Sequence, residues 1–213
     1  MPVVNQIKGE ETVESILQKI QNDAGKRLKS NFDKTGIKDF PQEIIIAGFK
    51  EERKLQIYAK SDKGIKFIKE YPFTGYSGKL GPKLKEGDKQ IPEGIYKVEY
   101  LNPNSVYYLS IKINYPNDYD ISKSNLPDVK DMGGDIFIHG KSATIGCIPI
   151  GDKAIEEVFL MAQKALQNEV KVIISPRDFR NNKQYPKIRS IYWENELYDI
   201  IKKELKSLPK KGK

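Results

Sequence analysis

The sequence holds one cysteine, one histidine and one tryptophan in 213 residues. A single cysteine closes no internal disulfide, so neither a disulfide framework nor a redox compartment can be read from it. One histidine and one cysteine cannot fill a tetrahedral metal sphere, and the carboxylates close to them in sequence are Asp135 and Asp152. No metal site and no cofactor is therefore expected. No run of about 18 apolar residues occurs, which excludes a membrane-spanning helix of the usual kind. The opening 1-MPVVNQIKGE-10 lacks an apolar core behind a basic head, so no secretory leader is read there. Two expectations follow: a cytoplasmic chain, or one whose leader has been removed. No internal repeat is visible, and no motif of interleaved aromatic and basic residues points to nucleic acid.

What is present argues for a folded core. Hydrophobic residues make up 38% of the chain, with 12 tyrosines and 8 phenylalanines, which excludes a disordered polymer. The formal charge of +8 suits an anionic partner such as a wall polymer, nucleic acid or membrane surface, or simply a solubilising surface. The length suits one domain with extensions.

The apolar pattern divides the chain. Residues 12–29 read as a helix, with Val13, Ile16, Leu17 and Ile20 on one face. After 39-DFPQE-43 come runs rich in β-branched and aromatic residues: 44–49, 55–60, 65–71, 94–101, 106–113, 135–139 and 170–175. Tyr107 and Tyr108 should then alternate across one strand. A helix carrying Ile155, Val158, Phe159, Ala162 and Leu166 precedes the last strand, with Asp152 placed to cap it. A final helix carries Leu197, Ile200, Ile201 and Leu205, before a basic tail. The middle strands follow one another without helices between them, which argues against a doubly wound parallel sheet. The expected class is α+β: a β-rich sandwich or partial barrel with helices at both termini.

The chemistry concentrates in 135-DIFIHGKSATIGCIPIGD-152. His139 ends an apolar strand, and a short loop leads to Cys147, which places a ring and a thiol on one rim of a sheet. A free thiol has a pKa of about 8.5 and is mostly protonated at neutral pH. A neighbouring imidazole can take its proton and leave a thiolate that attacks a carbonyl. Gly146 lets backbone N–H groups approach a developing oxyanion, and the Gly140 carbonyl is a candidate to orient the imidazole. The plainer alternative is a buried structural cysteine and a hydrogen-bonded structural histidine.

The run H-G-x-S-x-T-I-G-C, from His139 to Cys147, resembles the active-site motif of the L,D-transpeptidase catalytic-domain family (YkuD type). That motif is a His-Gly, a loop, then [Ser/Thr]-His-Gly-Cys. His139 and Gly140 match its first part; Thr144, Gly146 and Cys147 match its second. The upstream 76-YSGKLGPKLKEGDKQIPEGIYKV-98 is similar to the family's G-P-K…E-G-D…T-P-E-G-x-Y segment. The likeness covers roughly residues 42–176. It implies residues 1–41 as a helical extension, 42–176 as the catalytic domain, and 177–213 as a second helical extension with a basic tail.

The resemblance implies acyl transfer on peptidoglycan stem peptides through a Cys147 thioester. His139 would act as general base and then acid, in a periplasmic or wall-associated protein. Cross-linking, attachment or release of a wall-linked lipoprotein, and L,D-carboxypeptidase or amidase hydrolysis all fit one such site; a non-catalytic wall-binding module fits the same fold. Lys83 and Ser77 are candidates to reach a substrate carboxylate, and Ser142 and Thr144 to order the loop. The loop is shorter than in most of the family. Ile145 stands where a second His is usual, and no Arg follows Cys147, as in the YafK-like branch. By strand alternation, Ile145 and Cys147 should point to one side, making Ile145 an apolar wall beside a thiolate.

Overall fold

The computed structural model describes residues 10–212, so the reading of the opening segment 1–9 falls outside the described residues. Helix α1 (Val13–Thr35) begins at a capping box between Thr12 and Ser15 and stops at Gly36, whose φ is 71°. It runs past residue 29 because its buried stripe of Ile16, Ile20, Ala24 and Leu28 continues to Phe32.

Eight strands follow in one sheet: β1 (Ile44–Phe49), β2 (Lys54–Ser61), β3 (Gly64–Pro72), β4 (Gly94–Ser105), β5 (Tyr108–Ile113), β6 (Phe137–His139), β7 (Ile148–Pro149) and β8 (Lys171–Ser175). Their spatial order is β3-β2-β1-β8-β4-β5-β6-β7. The pairs β1·β8 and β6·β7 are parallel and the others antiparallel. Residues 94–97 at the start of β4 pair with β8, and the rest of β4 pairs with β5. An irregularity between Val98 and Tyr100 turns the strand from one half of the sheet to the other. The sheet curls until its edges meet. Ile148 of β7 lies 3.6 Å from where a Cβ on Gly48 of β1 would stand. Beyond β3, the Thr74 N–H donates to the Pro149 carbonyl at 2.9 Å. The class is α+β, with a mixed sheet curled into a partial barrel.

The central strands are buried on both faces. Ile44 and Ile46 of β1, Leu55 and Ile57 of β2, and Val172 and Ile174 of β8 enter one core with α1 and α3 (Asp152–Ala165). Ala47, Phe49, Tyr58 and Ile173 enter a second core beneath α4 (Glu194–Lys206), through Leu197, Tyr198, Ile201 and Leu205. Two-sided burial explains why 44-IIIAGF-49 reads as an unbroken apolar run, and why Val172, Ile173 and Ile174 stand together in β8.

Several local expectations are corrected. Residues 106–113 are not one strand: β4 extends to Ser105, and Tyr108 opens β5 at a φ of 79°. The strand expected from 135 starts at Phe137, because Asp135 sits at a φ of 54°. Asp152 does not cap α3. The cap position is Gly151, and the Asp152 carboxylate accepts the Lys141 N–H at 2.8 Å. A short helix α2 (Asp118–Lys123), closed by a capping box between Asn117 and Asp120, was not expected.

Candidate active site

The parallel pair β6·β7 sets Ile138 opposite Ile148 and His139 opposite Pro149. One step earlier, Cys147 falls beside Phe137, whose N–H points at Cys147 Sγ at 3.4 Å. Side chains alternate along a strand. Ile138 therefore enters the core with Ile148, while Phe137 and His139 share the other face of β6, and Cys147, in the bend before β7, is brought against Phe137 by that contact.

His139 is fully buried, and its Nδ1 lies 2.6 Å from the Gly140 carbonyl. A carbonyl only accepts, so the ring proton sits on Nδ1 and the lone pair on Nε2. That Nε2 is buried and has no hydrogen-bond partner among the described residues. Burial pushes the imidazole pKa down, and the Gly140 carbonyl pulls it partly back. The Tyr107 ring lies over the imidazole, centroids 4.5 Å apart. Gly140 has no room for a side chain: a Cβ there would stand 2.7 Å from the Asp152 carboxylate and from the Tyr107 carbonyl.

Cys147 is half-buried. Burial pushes its thiol pKa up, the Phe137 N–H opposes this, Asp135 adds to it, and Lys112 and Lys83 pull it down. The thiol faces the Asp135 carbonyl at 3.5 Å. Any thiolate at this site has to form against that burial. Burial thus works against charge on both the thiol and the imidazole.

The loop between them is held by hydroxyls. Thr144 Oγ1 accepts the Cys147 N–H at 3.0 Å and donates to the Cys147 carbonyl at 2.7 Å. Ser77 Oγ accepts the Gly146 N–H at 2.7 Å. Gly146 has a φ of 102°, and a Cβ there would meet the Gln90 carbonyl at 3.0 Å, so both its conformation and its neighbour require glycine. Its amide and that of Cys147 are both occupied, and an oxyanion would have to displace Ser77 or Thr144.

The remaining candidates divide. Lys83 is buried and spends its ammonium on the Lys85 carbonyl at 2.8 Å and Asp88 at 2.9 Å. It braces its own loop, where Asp88 also accepts the N–H groups of Leu84, Lys85 and Gln90. Ser142 is exposed on the loop. Ile145 is 71% exposed, and residues 145–147 form a bend, so strand alternation does not apply and no packed wall forms. Two site residues were missed by sequence reasoning: Tyr107, which the expected strand did not place against His139, and Lys112, whose charge bears on the thiol.

Residues 43–174 match the pattern described as YkuD, the L,D-transpeptidase catalytic domain. The chain belongs to this family. Among relatives of this YkuD domain, YafK of Escherichia coli (strain K12), an L,D-transpeptidase by assignment, is 38% identical over 138 residues, 62% of this chain and 54% of YafK. YafK of Escherichia coli O157:H7 matches equally. The chain spans about half the length of these curated relatives. The fold is similar to that of Pgp2, the helical cell shape determining protein of Campylobacter jejuni. The TM-score is 0.52 at 20% identity, over 78% of this chain and 70% of Pgp2. Among the described residues, no helix is long and apolar enough to cross a membrane.

Proposed function

We propose that this YkuD domain is a cysteine acyltransferase acting on peptidoglycan stem peptides outside the cytoplasm, with residues 42–176 as its catalytic unit. One observation carries the reading: a buried imidazole whose Nδ1–H is fixed on Gly140 while Nε2 has no partner, two residues along β6 from Phe137, whose N–H meets the sulfur of the chain's single cysteine. A buried lone pair left unpaired costs stability, and a catalytic role is one reason for a fold to carry that cost.

Nε2 takes the Cys147 proton as sulfur attacks the carbonyl of an L-centred stem residue. A C–S bond forms, and the C–N bond to the following D-residue breaks. The imidazolium returns its proton to the leaving amine. An incoming amine or water attacks the thioester and passes its proton to Nε2; the C–S bond breaks, and Nε2 returns that proton to Sγ. With a stem amine the product is a cross-link; with water it is a shortened stem; with a lipoprotein amine it is an anchored lipoprotein. The approach to the oxyanion passes through the Gly146 and Cys147 amides once Ser77 or Thr144 yields.

The test is incubation with purified muropeptides and mass analysis of the products. Dimers mean transfer and shortened stems mean hydrolysis, and Cys147→Ala should give neither. A wild-type protein that binds muropeptides but turns none over would be a wall-binding module, and the proposal would fall.

A further inference from the structure

The β5·β6 pairing places Ser110 opposite His139 and Lys112 opposite Phe137. Residues directly opposite share a face, so Lys112 projects on the face that carries Phe137 and His139, away from the core face of Ile111 and Ile138. Lys112 is 8% exposed. Its stem runs along the Phe137 ring, with Nζ 5.5 Å from the ring centroid. Phe137 is the residue whose N–H meets Cys147 Sγ.

The ammonium is under-used. Its charged neighbours are Asp135 at 3.7 Å and Glu99 at 3.8 Å, both beyond hydrogen-bond distance. Among the described residues, Nζ makes no hydrogen bond at all. Lys83, by contrast, is committed to Lys85 and Asp88. Asp135 links ammonium and sulfur: its carboxylate faces Lys112 and its carbonyl faces Sγ. A group reacting at Cys147 therefore lies about one residue's span from an ammonium with three unspent donors.

We propose that Lys112 is the specificity residue of this site, binding a carboxylate of the acyl donor close to the scissile carbonyl. The donor class is then a peptide with a free acid next to the reacting residue, in preference to its amide. The identification of the ligand as a peptide donor rests on the acyl-transfer reading. A carboxylate accepts two charge-assisted hydrogen bonds from an ammonium, which neither Asp135 nor Glu99 does at its present distance. It has to displace only those two contacts, and both carboxylates are already well exposed to water.

The test uses the single cysteine as a reporter. Iodoacetate carries a carboxylate beside its reacting carbon; iodoacetamide is the neutral analogue. Their rates of alkylating Cys147 are compared at about pH 9, near the ordinary thiol pKa of about 8.5. The ratio cancels any change in the thiol's own ionisation. Lys112→Met should lower the iodoacetate-to-iodoacetamide ratio on the order of tenfold, Lys112→Gln likewise, and Lys112→Arg should keep it. Lys130→Met removes an equal charge at an exposed position and should leave the ratio alone. A ratio unmoved in both neutral variants, or moved equally by Lys130→Met, overturns the proposal.

No turnover is needed for that measurement, so it separates this inference from the function it builds on. Acid and amide forms of one peptide donor are then compared. Wild type should prefer the acid, and Lys112→Met should lose the preference. If alkylation responds but no donor is turned over, the carboxylate site stands and the peptide donor is wrong. If donors are turned over with no preference for the acid, the Lys112 assignment fails alone.

Discussion

The ring of Tyr107 covers the imidazole of His139, with centroids 4.5 Å apart and planes inclined at 31°. Tyr107 sits in the turn between β4 and β5, and the neighbouring Tyr108 anchors that turn by donating to Glu156 of α3 at 2.8 Å. The stack and the Gly140 hydrogen bond together hold the imidazole at two points. One sets the ring's plane and the other sets its tautomer.

Removing the stack should loosen the base without removing it. A ring contact of this kind is worth about 1 kcal/mol, which corresponds to a loss of several-fold in rate. Tyr107→Ala should lower kcat by about five- to tenfold with little change in KM, and Tyr107→Phe should restore it. Admitting water to the imidazole also relieves the burial that depresses its pKa. The acidic limb of the pH–rate profile should therefore move to higher pH in Tyr107→Ala. A rate loss with an unmoved limb would mean that Tyr107 supports only the fold.

The wild-type profile has its own sign. His139 is held below its ordinary 6.5 and Cys147 above the ordinary thiol range. A general base must be neutral to accept the thiol proton, so activity should rise with pH on a limb below 6.5 and then hold across neutrality. Alkylation needs the thiolate. At pH 7, iodoacetamide should therefore label Cys147 more slowly than free cysteine, and the rate should climb only above the usual thiol range. Labelling at pH 7 faster than free cysteine would show a standing ion pair and overturn this prediction.

The family and the candidate pair His139 and Cys147 were legible because they depend on local order along the chain. His-Gly, six residues and Cys form a contiguous signature, and 81-GPKLKEGD-88 precedes it. The barrel strands were legible because two-sided burial writes long apolar runs. Features set by pairing were not. Lys112 reads as the polar member of an alternating strand, and only its register with Phe137 brings it to the thiol. Asn102-Pro103-Asn104 reads as a strand breaker, yet β4 continues through it because the register slips there, between Asn102 and Ser105. Helix α2 is six residues long, too short for an apolar period to show. The hydroxyls of Ser77 and Thr144 were visible as candidates, but their capture of the Gly146 and Cys147 amides depends on how the two loops meet.

Asp120 gives stability a pH dependence. It is buried against the Tyr96 hydroxyl and the Asn117 N–H, no cation pairs with it among the described residues, and burial raises its pKa from 3.8 to about 6. A carboxyl raised on folding favours the native state while protonated. Its contribution is full below the unfolded value and is lost as pH rises through the folded one. Between about pH 4 and pH 6 the protein should lose up to about 3 kcal/mol from this group. Asp120→Asn mimics the protonated acid and should remove that slope, leaving the variant the more stable above about pH 6. Urea midpoints of both proteins across this window check it; parallel curves would remove Asp120 from the pH dependence.

The buried pair Lys50–Glu93 ties the upstream motif to the site. Both side chains are wholly buried, 2.9 Å apart. Lys50 also donates to the Gly81 carbonyl at 2.7 Å and the Ile91 carbonyl at 2.8 Å, which uses its three N–H groups. Glu93 accepts the Gly81 N–H at 2.7 Å and the Tyr198 hydroxyl at 2.8 Å. The pair thus closes the loop 81–91 at both ends, and next to Ile91 stands Gln90, whose carbonyl abuts Gly146. Removing one charge strands the other in the core, so Lys50→Met or Glu93→Leu should each cost about 3–5 kcal/mol. The double variant should cost less than the sum of the two, since no charge is left behind. It should not reach wild type, because the Gly81 and Ile91 backbone groups and the Tyr198 hydroxyl lose their partners. Any variant that stays folded should also lose activity per folded molecule, because a slack loop withdraws Ser77 and Gln90 from Gly146. Denaturant melts and kcat on the folded fraction read the two effects separately. Additive stability losses would break the argument for a mutual pair, and full activity in the folded double variant would cut its link to the active-site loop.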